Sequence, residues 1–286
     1  MNKNVKILLV YQNEFPRLSD LYVPIHVGKG ESDGLRDDVG DNISDKNSTY
    51  NELTAIYWAW KNYEKLGSPD YLGLAHYRRF LIFKDKKYPY YECKAKDIVK
   101  NSFCDNENVS RFLDSFDALA PRPSKRKSVE YNYVLAHHQE DVVLLKEIIK
   151  ETRPDYMDIT NAYLQSKGAY YFNMFVFSKD LFFDYCRWIF PVLQEFEKRT
   201  ANPTERLFIS EILTGIYLYD LKEKNYLKEL PVLFVVGKKQ KLSQAIKDTK
   251  INFKEKRSSF FYNLRPLIFW LVPRKLLLIR RRKILK

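Results

Sequence analysis

The sequence predicts an α/β fold with a mostly parallel sheet flanked by helices, followed by a basic amphipathic tail. Three observations carry this expectation. Short apolar runs of strand character alternate with longer stretches of helical spacing along residues 5–236. Strand, helix and strand follow one another between residues 5 and 77, as in a parallel βαβ unit. The charge is segregated as well: of a net +13, residues 251–286 hold +10, with eleven Lys and Arg against Glu255 alone, and the other 250 residues hold +3.

Val5 to Tyr11 reads as a buried strand, and Tyr22-Val23-Pro24-Ile25-His26-Val27 as a second extended stretch ending at Gly28. Residues 29–47 read as loop, rich in acids and interrupted by Gly30, Gly34 and Gly40. Thr49 followed by Glu52 matches a helix capping box. Leu53, Ile56, Tyr57, Trp60 and Tyr63 then recur at helical spacing, until Gly67 and Pro69 stop the helix. Tyr71 to Tyr77 is the next strand, and residues 80–115 read as irregular and then helical. Phe116 to Ala120 is a short strand closed by Pro121 and Pro123, before the basic loop Lys125-Arg126-Lys127. Residues 139–151 form a helix with Val142, Val143, Leu145, Ile148 and Ile149 as its apolar side. Tyr170 to Phe177 is the strongest strand of the second half, Asp180 to Glu197 and Glu205 to Tyr219 are helices, and Leu230 to Val236 is a last strand. With no internal repeat and no low-complexity linker, one domain over residues 1–245 and a tail over 246–286 is the simplest division.

Several classes are excluded. Cys93, Cys104 and Cys186 form no CxxC pair, and their odd number argues against a disulfide framework and for a reducing cytoplasm. The first apolar run, Val5 to Val10, is too short for a signal sequence, and no segment approaches the ~18 uninterrupted apolar residues of a membrane span. His137-His138 has side chains that diverge, and no HExxH or Cys/His ligand spacing occurs, so no zinc site is expected. GxGxxG, a Walker-type phosphate loop and a GxSxG elbow are all absent.

Four constellations remain. His76-Tyr77-Arg78-Arg79 falls at the carboxyl end of a strand, where open parallel sheets bind ligands. Strand alternation puts Arg79 and Tyr77 on one side and Arg78 and His76 on the other. A turn there brings both arginines to one crevice, where their planar forks suit phosphate; the same run also reads as an ordinary surface Arg pair. The acidic loop Asp33, Asp37, Asp38, Asp41, Asp45 fits either a divalent cation or ribose hydroxyls, or else turns and caps. Arg36 within it is a local ion-pair partner or a contact for base or phosphate. Glu211, among apolar residues of a helix, is either a desolvated general base or part of a solvated face. In the tail, Phe260-Phe261-Tyr262, Leu267 to Val272 and Leu276 to Ile279 interleave with cations, which suits an anionic membrane surface better than nucleic acid.

A family resemblance orders these residues. Ile25-His26-Val27-Gly28, Leu35-Arg36-Asp37-Asp38, Gly40-Asp41-Asn42-Ile43-Ser44, Asn51-Glu52-Leu53-Thr54, Tyr57-Trp58-Ala59-Trp60-Lys61-Asn62 and Gly73 to Arg79 resemble the bacterial polysaccharide-biosynthesis transferases grouped as domain of unknown function 4422. Asn173-Met174-Phe175, Tyr185-Cys186 with Trp188 and Phe190, and Ser210-Glu211 continue the pattern, which spans roughly residues 5–236. The resemblance implies a Rossmann-related fold of the GT-A type and a glycosyltransferase of capsule or exopolysaccharide assembly; some members transfer galactofuranose from UDP-galactofuranose. It implies a UDP-sugar donor, a lipid-linked oligosaccharide acceptor and a site of action at the cytoplasmic face of the cell membrane. His76, Arg78 and Arg79 would hold the diphosphate. Asp37, Asp38, Asn42 and Arg36 would line nucleotide and sugar. Glu211 would be the catalytic base, with Asp41 as a rival carboxylate. GT-A enzymes usually hold a divalent metal such as Mn²⁺ with an Asp-x-Asp motif. That motif is missing where His76 to Arg79 stand, so no residue is assigned to a metal and the cofactor stays open. The family's Arg-Leu after the Glu is Ile212-Leu213 here. The competing expectation is a non-catalytic membrane-peripheral or nucleic-acid-binding protein, and a third is a phosphotransferase using the same arginines.

Overall fold

The structure, a computed structural model, describes residues 3–11, 18–28, 32–125, 127–201 and 206–235, with isolated positions between 243 and 264. The tail expected to meet a membrane, residues 251–286, lies outside the described residues except for Leu264. The chain divides into two compact units, Met1–Pro123 with Tyr170–Val236, and Ser124–Ala169 with Gly237–Lys286. The expected boundary at residue 245 lies outside the described residues; within the described part, the chain leaves the first unit after the Pro121–Pro123 stop and re-enters it at Tyr170.

In chain order the elements are β1 (Val5–Tyr11), β2 (Tyr22–His26), β3 (Leu35–Arg36), α1 (Asn47–Tyr50), α2 (Leu53–Lys61), β4 (Tyr71–His76), β5 (Arg79–Leu81), β6 (Tyr90–Cys93), α3 (Ile98–Ser102), α4 (Asn106–Leu113) and β7 (Ala118–Pro121). The second unit contributes β8 (Ser124–Lys125), α5 (Val129–Val134), α6 (Gln139–Thr152), α7 (Met157–Gln165) and β9 (Gly168–Ala169). The first unit resumes with β10 (Phe175–Ser178), α8 (Lys179–Arg199), α9 (Arg206–Glu223), β11 (Leu227–Leu230) and β12 (Val232–Val235).

Among the described residues the first unit forms a ten-stranded sheet, ordered β11-β7-β10-β4-β1-β2-β3, with β5 turning off β4 and β12 pairing β5 and β6. β1 is parallel to β2 and β4, and β2 to β3, as the βαβ reading expects. Ile7, Leu8, Leu9 and Val10 are all buried, so β1 is covered on both faces, which explains its continuous apolar run. β10 runs antiparallel between β4 and β7. It approaches β4 closely: a Cβ on Gly73 would lie 2.7 Å from the Phe175 carbonyl oxygen. Helices α2 and α9 both pack on α8. The tyrosine richness of this unit is in good part core, with Tyr50, Tyr185 and Tyr217 fully buried and the Phe175 and Phe177 rings stacked at 4.1 Å.

Two strands differ from expectation. Of the run Tyr170–Phe177 the strand, Phe175–Ser178, takes up only the last three residues, because Phe172 and Asn173 take left-handed conformations, with φ of 82° and 48°. The run Leu230–Val236 divides at Pro231, which has no N–H to give a ladder: β11 ends before it on β7, and β12 begins after it on β5 and β6.

The second unit is a small helical body. Val142, Leu145, Ile148 and Ile149 of α6 are buried as expected, while Val143 stays 49% exposed. The antiparallel β8–β9 pair closes it, and Lys146 of α6 reaches Glu130 of α5 at 3.3 Å.

Candidate active site

The parallel strands end together. Tyr11 lies opposite His26, His26 opposite Arg36, and Val10 opposite His76. This carboxyl edge is where an open α/β sheet presents ligand-binding loops. The His76 to Arg79 run is a tight hairpin there, with His76 and Arg79 paired across the two-residue loop Tyr77-Arg78. The expected alternation is thereby replaced: cross-strand partners share a face, so His76 goes with Arg79 rather than with Arg78. Arg78 is exposed, its guanidinium stacked 4.7 Å from the Tyr77 ring centroid. Arg79 is partly buried, 4.6 Å over the ring of Phe172.

Phe172 is the hinge of the site. A bulky residue at φ 82° is a strained conformation, costing on the order of 1–3 kcal/mol, and so is Asn173 at 48°, though Asn tolerates it better. The surroundings hold both. The Phe172 N–H donates to Glu211 Oε1 at 3.0 Å, and its carbonyl lies 2.6 Å from His76 Nε2, which donates to it. Asn173, fully buried, donates from Nδ2 to Glu52 Oε1 and to Ser210 Oγ, each at 3.0 Å, and its Oδ1 accepts from Thr214 Oγ1 at 2.8 Å. The turn before β10 thus ties α2, the β4–β5 hairpin and α9 together in one polar cluster of Glu52, His76, Arg79 and Glu211.

Burial dominates the electrostatics of this cluster. It pushes the Glu211 carboxyl up to about 7, helped by the negative charge of Glu52; the Phe172 N–H and the Arg79 guanidinium pull the other way. Glu211 remains partly open to solvent, so it is desolvated and still reachable. Burial also lowers His76, with Arg79 adding to the effect and Glu52 opposing it. Arg79 is lowered by burial against the attraction of Glu211 and Glu52. It forms no ion pair with any described residue, so its N–H fork is available to a ligand. Chemically, the cluster offers an acid/base carboxyl near neutrality, a cationic fork and a neutral imidazole fixed by a backbone carbonyl.

The acidic loop plays a different part. Arg36 forks onto Asp38, with Nε 2.9 Å from Oδ1, and this pairing holds the Asp38 carboxyl below the usual range. Of the alternatives open for Arg36, the structure shows the local ion pair. Asp37 is buried, accepts from Ser44 Oγ at 2.7 Å, and keeps Oδ2 without a hydrogen-bond partner. Asn42 closes an Asx turn, accepting from the Ser44 N–H at 3.1 Å. Asp41 is exposed and turned toward α2: its carboxylate acts on Tyr57 and its carbonyl accepts from Asn62 Nδ2 at 2.8 Å. Asn62 follows the far end of α2, about 15 Å of helix from Glu52, so Asp41 is not brought together with Glu211.

Glu52 is the residue that sequence reasoning missed. The capping box does not form: Thr49 Oγ1 bonds the Lys46 carbonyl at 3.1 Å, and the Glu52 side chain reaches Asn173 instead. Its place inside the Asn51-Glu52-Leu53-Thr54 segment was the available signal. No three His, Cys, Asp or Glu among the described residues gather into a metal-binding group. The β4–β5 hairpin presents two guanidiniums and an imidazole whose Nε2 is already engaged. That donor set does not fit a divalent cation.

Known proteins share this arrangement of elements. The family described as "Domain of unknown function (DUF4422)" matches residues 6–224. Among solved structures, the apo form of a bifunctional glycosyltransferase, WbbM, superposes with a TM-score of 0.73 at 30% identity, over 82% of this chain and 46% of that one. The chain therefore spans about half the length of that relative. No curated protein matches it.

Proposed function

The chain belongs to the DUF4422 family, and we propose that it is a glycosyltransferase moving a sugar, with galactofuranose the first candidate, from a UDP-sugar to a lipid-linked oligosaccharide of bacterial capsule or exopolysaccharide. One observation carries the reading: a desolvated carboxyl, Glu211, and an uncommitted guanidinium, Arg79, are fixed by one strained turn at the carboxyl edge of a parallel sheet. Glu211 takes the proton of the acceptor hydroxyl while that oxygen bonds to the donor's anomeric carbon and the bond from that carbon to the diphosphate breaks. The departing UDP carries the new negative charge, which Arg79, with the exposed Arg78, stabilises. His76 fixes the Phe172 carbonyl and so the N–H that orients Glu211. Asp37 and Asp38 follow β3 at the same edge and would line the nucleotide. No step is routed through a metal, because the donor set at the hairpin is cationic.

The test is UDP release across a panel of sugar nucleotides, with and without EDTA. The expected result is release with one donor, undiminished by EDTA and reduced about 10²-fold or more by Arg79→Ala. Activity lost in EDTA and restored by Mn²⁺ would overturn the cationic reading of the hairpin. Absence of release and transfer with every donor would return the chain to the non-catalytic reading.

A further inference from the structure

We infer that the first unit carries its own docking face for an anionic lipid bilayer, built from lysines laid over aromatic rings between Lys84 and Phe103. The ring and ammonium contacts are continuous. Lys84 Nζ lies 4.9 Å over Phe103, Lys86 Nζ lies 5.1 Å from the same ring and 4.9 Å over Tyr91, and the Tyr91 ring neighbours Tyr88 at 6.3 Å, which carries Lys87 at 5.7 Å. None of these three lysines is ion-paired with a described residue. The acid among them, Asp85, is taken by Lys228 at 3.2 Å and Arg122 at 3.8 Å. Phe103 is held at φ 53°, an unfavourable conformation for its bulk, with its ring left partly exposed. Phe103 caps the helix Ile98–Ser102 and packs partly on the core, which fixes the ring beside the two ammonium groups at the surface.

The chemistry selects lipid among anionic partners. Long lysine stems over aromatic rings give an apolar layer with ammonium tips, the distribution that sits at a headgroup boundary. Nucleic acid would need ring faces open to stacking bases, and each of these rings already has a lysine ammonium near it. Val99, on the helix that ends at Phe103, adds an aliphatic side chain 53% exposed. The strand β12 pairs with β6 at Leu233 and Tyr91, and the sequence that follows β12 leads into residues 251–286 with their charge of +10. The composition of that segment, aromatic and aliphatic residues interleaved with cations, is of the same kind. β12 also pairs with β5, the strand that begins at Arg79, so the docking face is continuous in the sheet with the candidate site. The inference does not depend on which reaction that site performs.

Co-sedimentation of the full chain with phosphatidylcholine vesicles, with and without phosphatidylglycerol, tests this, alongside a variant with Lys84→Gln, Lys86→Gln and Lys87→Gln together. A lysine near an anionic surface changes binding on the order of fivefold. The triple variant should therefore lose about tenfold or more of its affinity for anionic vesicles at moderate salt and be unchanged on neutral ones. Hydrogen exchange on the full chain should show amides of residues 84–91 protected by anionic vesicles. Equal binding by both chains with no protection over 84–91 overturns the inference and leaves membrane contact to the tail. Binding to polyuridylate that the three substitutions abolish, with vesicle binding intact, overturns it in favour of nucleic acid.

Discussion

At the scale of the residue, Glu211 decides most. Its carboxyl titrates near 7 in the folded chain against an ordinary value of 4.5, so the native state holds the proton more tightly than the unfolded state. The sign follows: the folded chain loses stability as pH rises from about 4.5 to about 7, and the loss is complete above that. Glu211→Gln keeps an oxygen to accept the Phe172 N–H but removes the charge. The variant should match the parent's denaturant midpoint near pH 5 and exceed it above pH 8, while transfer falls on the order of 10²–10⁴-fold. A variant with no gain in midpoint at high pH would mean the carboxylate is not desolvated. Sequence reasoning could place Glu211 on a helix among apolar residues, since spacing shows that much. It could not supply the partners, because Phe172, Glu52 and Arg79 come from distant segments and only the tertiary fold unites them.

At the scale of the element, apolar runs and periodicity made β1, β2, β4, α6, α8 and α9 legible to within a few residues of their ends, because their apolar residues are the ones the core buries. Elements built around an exception were not legible. The run Tyr170–Phe177 has the composition of a strand, yet hydrogen bonds from Asn173 to Glu52 and Ser210 offset the cost of a left-handed turn in its middle. The Arg78–Arg79 pair looked like the end of a strand, and a two-residue hairpin redistributed its side chains. Gly73 shows the reverse case, a residue whose reason is close approach rather than turn geometry. Gly73→Ala puts a methyl 2.7 Å from the Phe175 carbonyl and 2.8 Å from Val176 Cγ2, so β10 has to move away from β4. We expect a loss of about 1–3 kcal/mol in urea unfolding. Because β10 is anchored by the Phe172–Asn173 turn, reduced transfer should accompany it. An unchanged unfolding midpoint would show that β10 can yield at no cost.

At the scale of the whole molecule, fold and chemistry separate. The parallel sheet followed from pattern, and so did the accumulation of charge after residue 250, whereas the second unit over Ser124–Ala169 had no compositional boundary to announce it. None of the described helices is long and apolar enough to cross a membrane. What the sheet's carboxyl edge binds is a whole-molecule property, since a ligand held by loops from several strands stabilises all of them. A ligand that binds only the native state at a hundred times its Kd adds about 2.7 kcal/mol. For a chain of this size that is a rise in Tm of roughly 4–5 °C. UDP should produce such a rise, Arg79→Ala should remove most of it, and EDTA should leave it intact, because in the proposed site the phosphates meet guanidinium forks rather than a metal ion. A rise that requires added Mn²⁺ would mean that carboxylates, not the hairpin arginines, organise the diphosphate, and the site would then have to be rebuilt around Asp37 and Asp38.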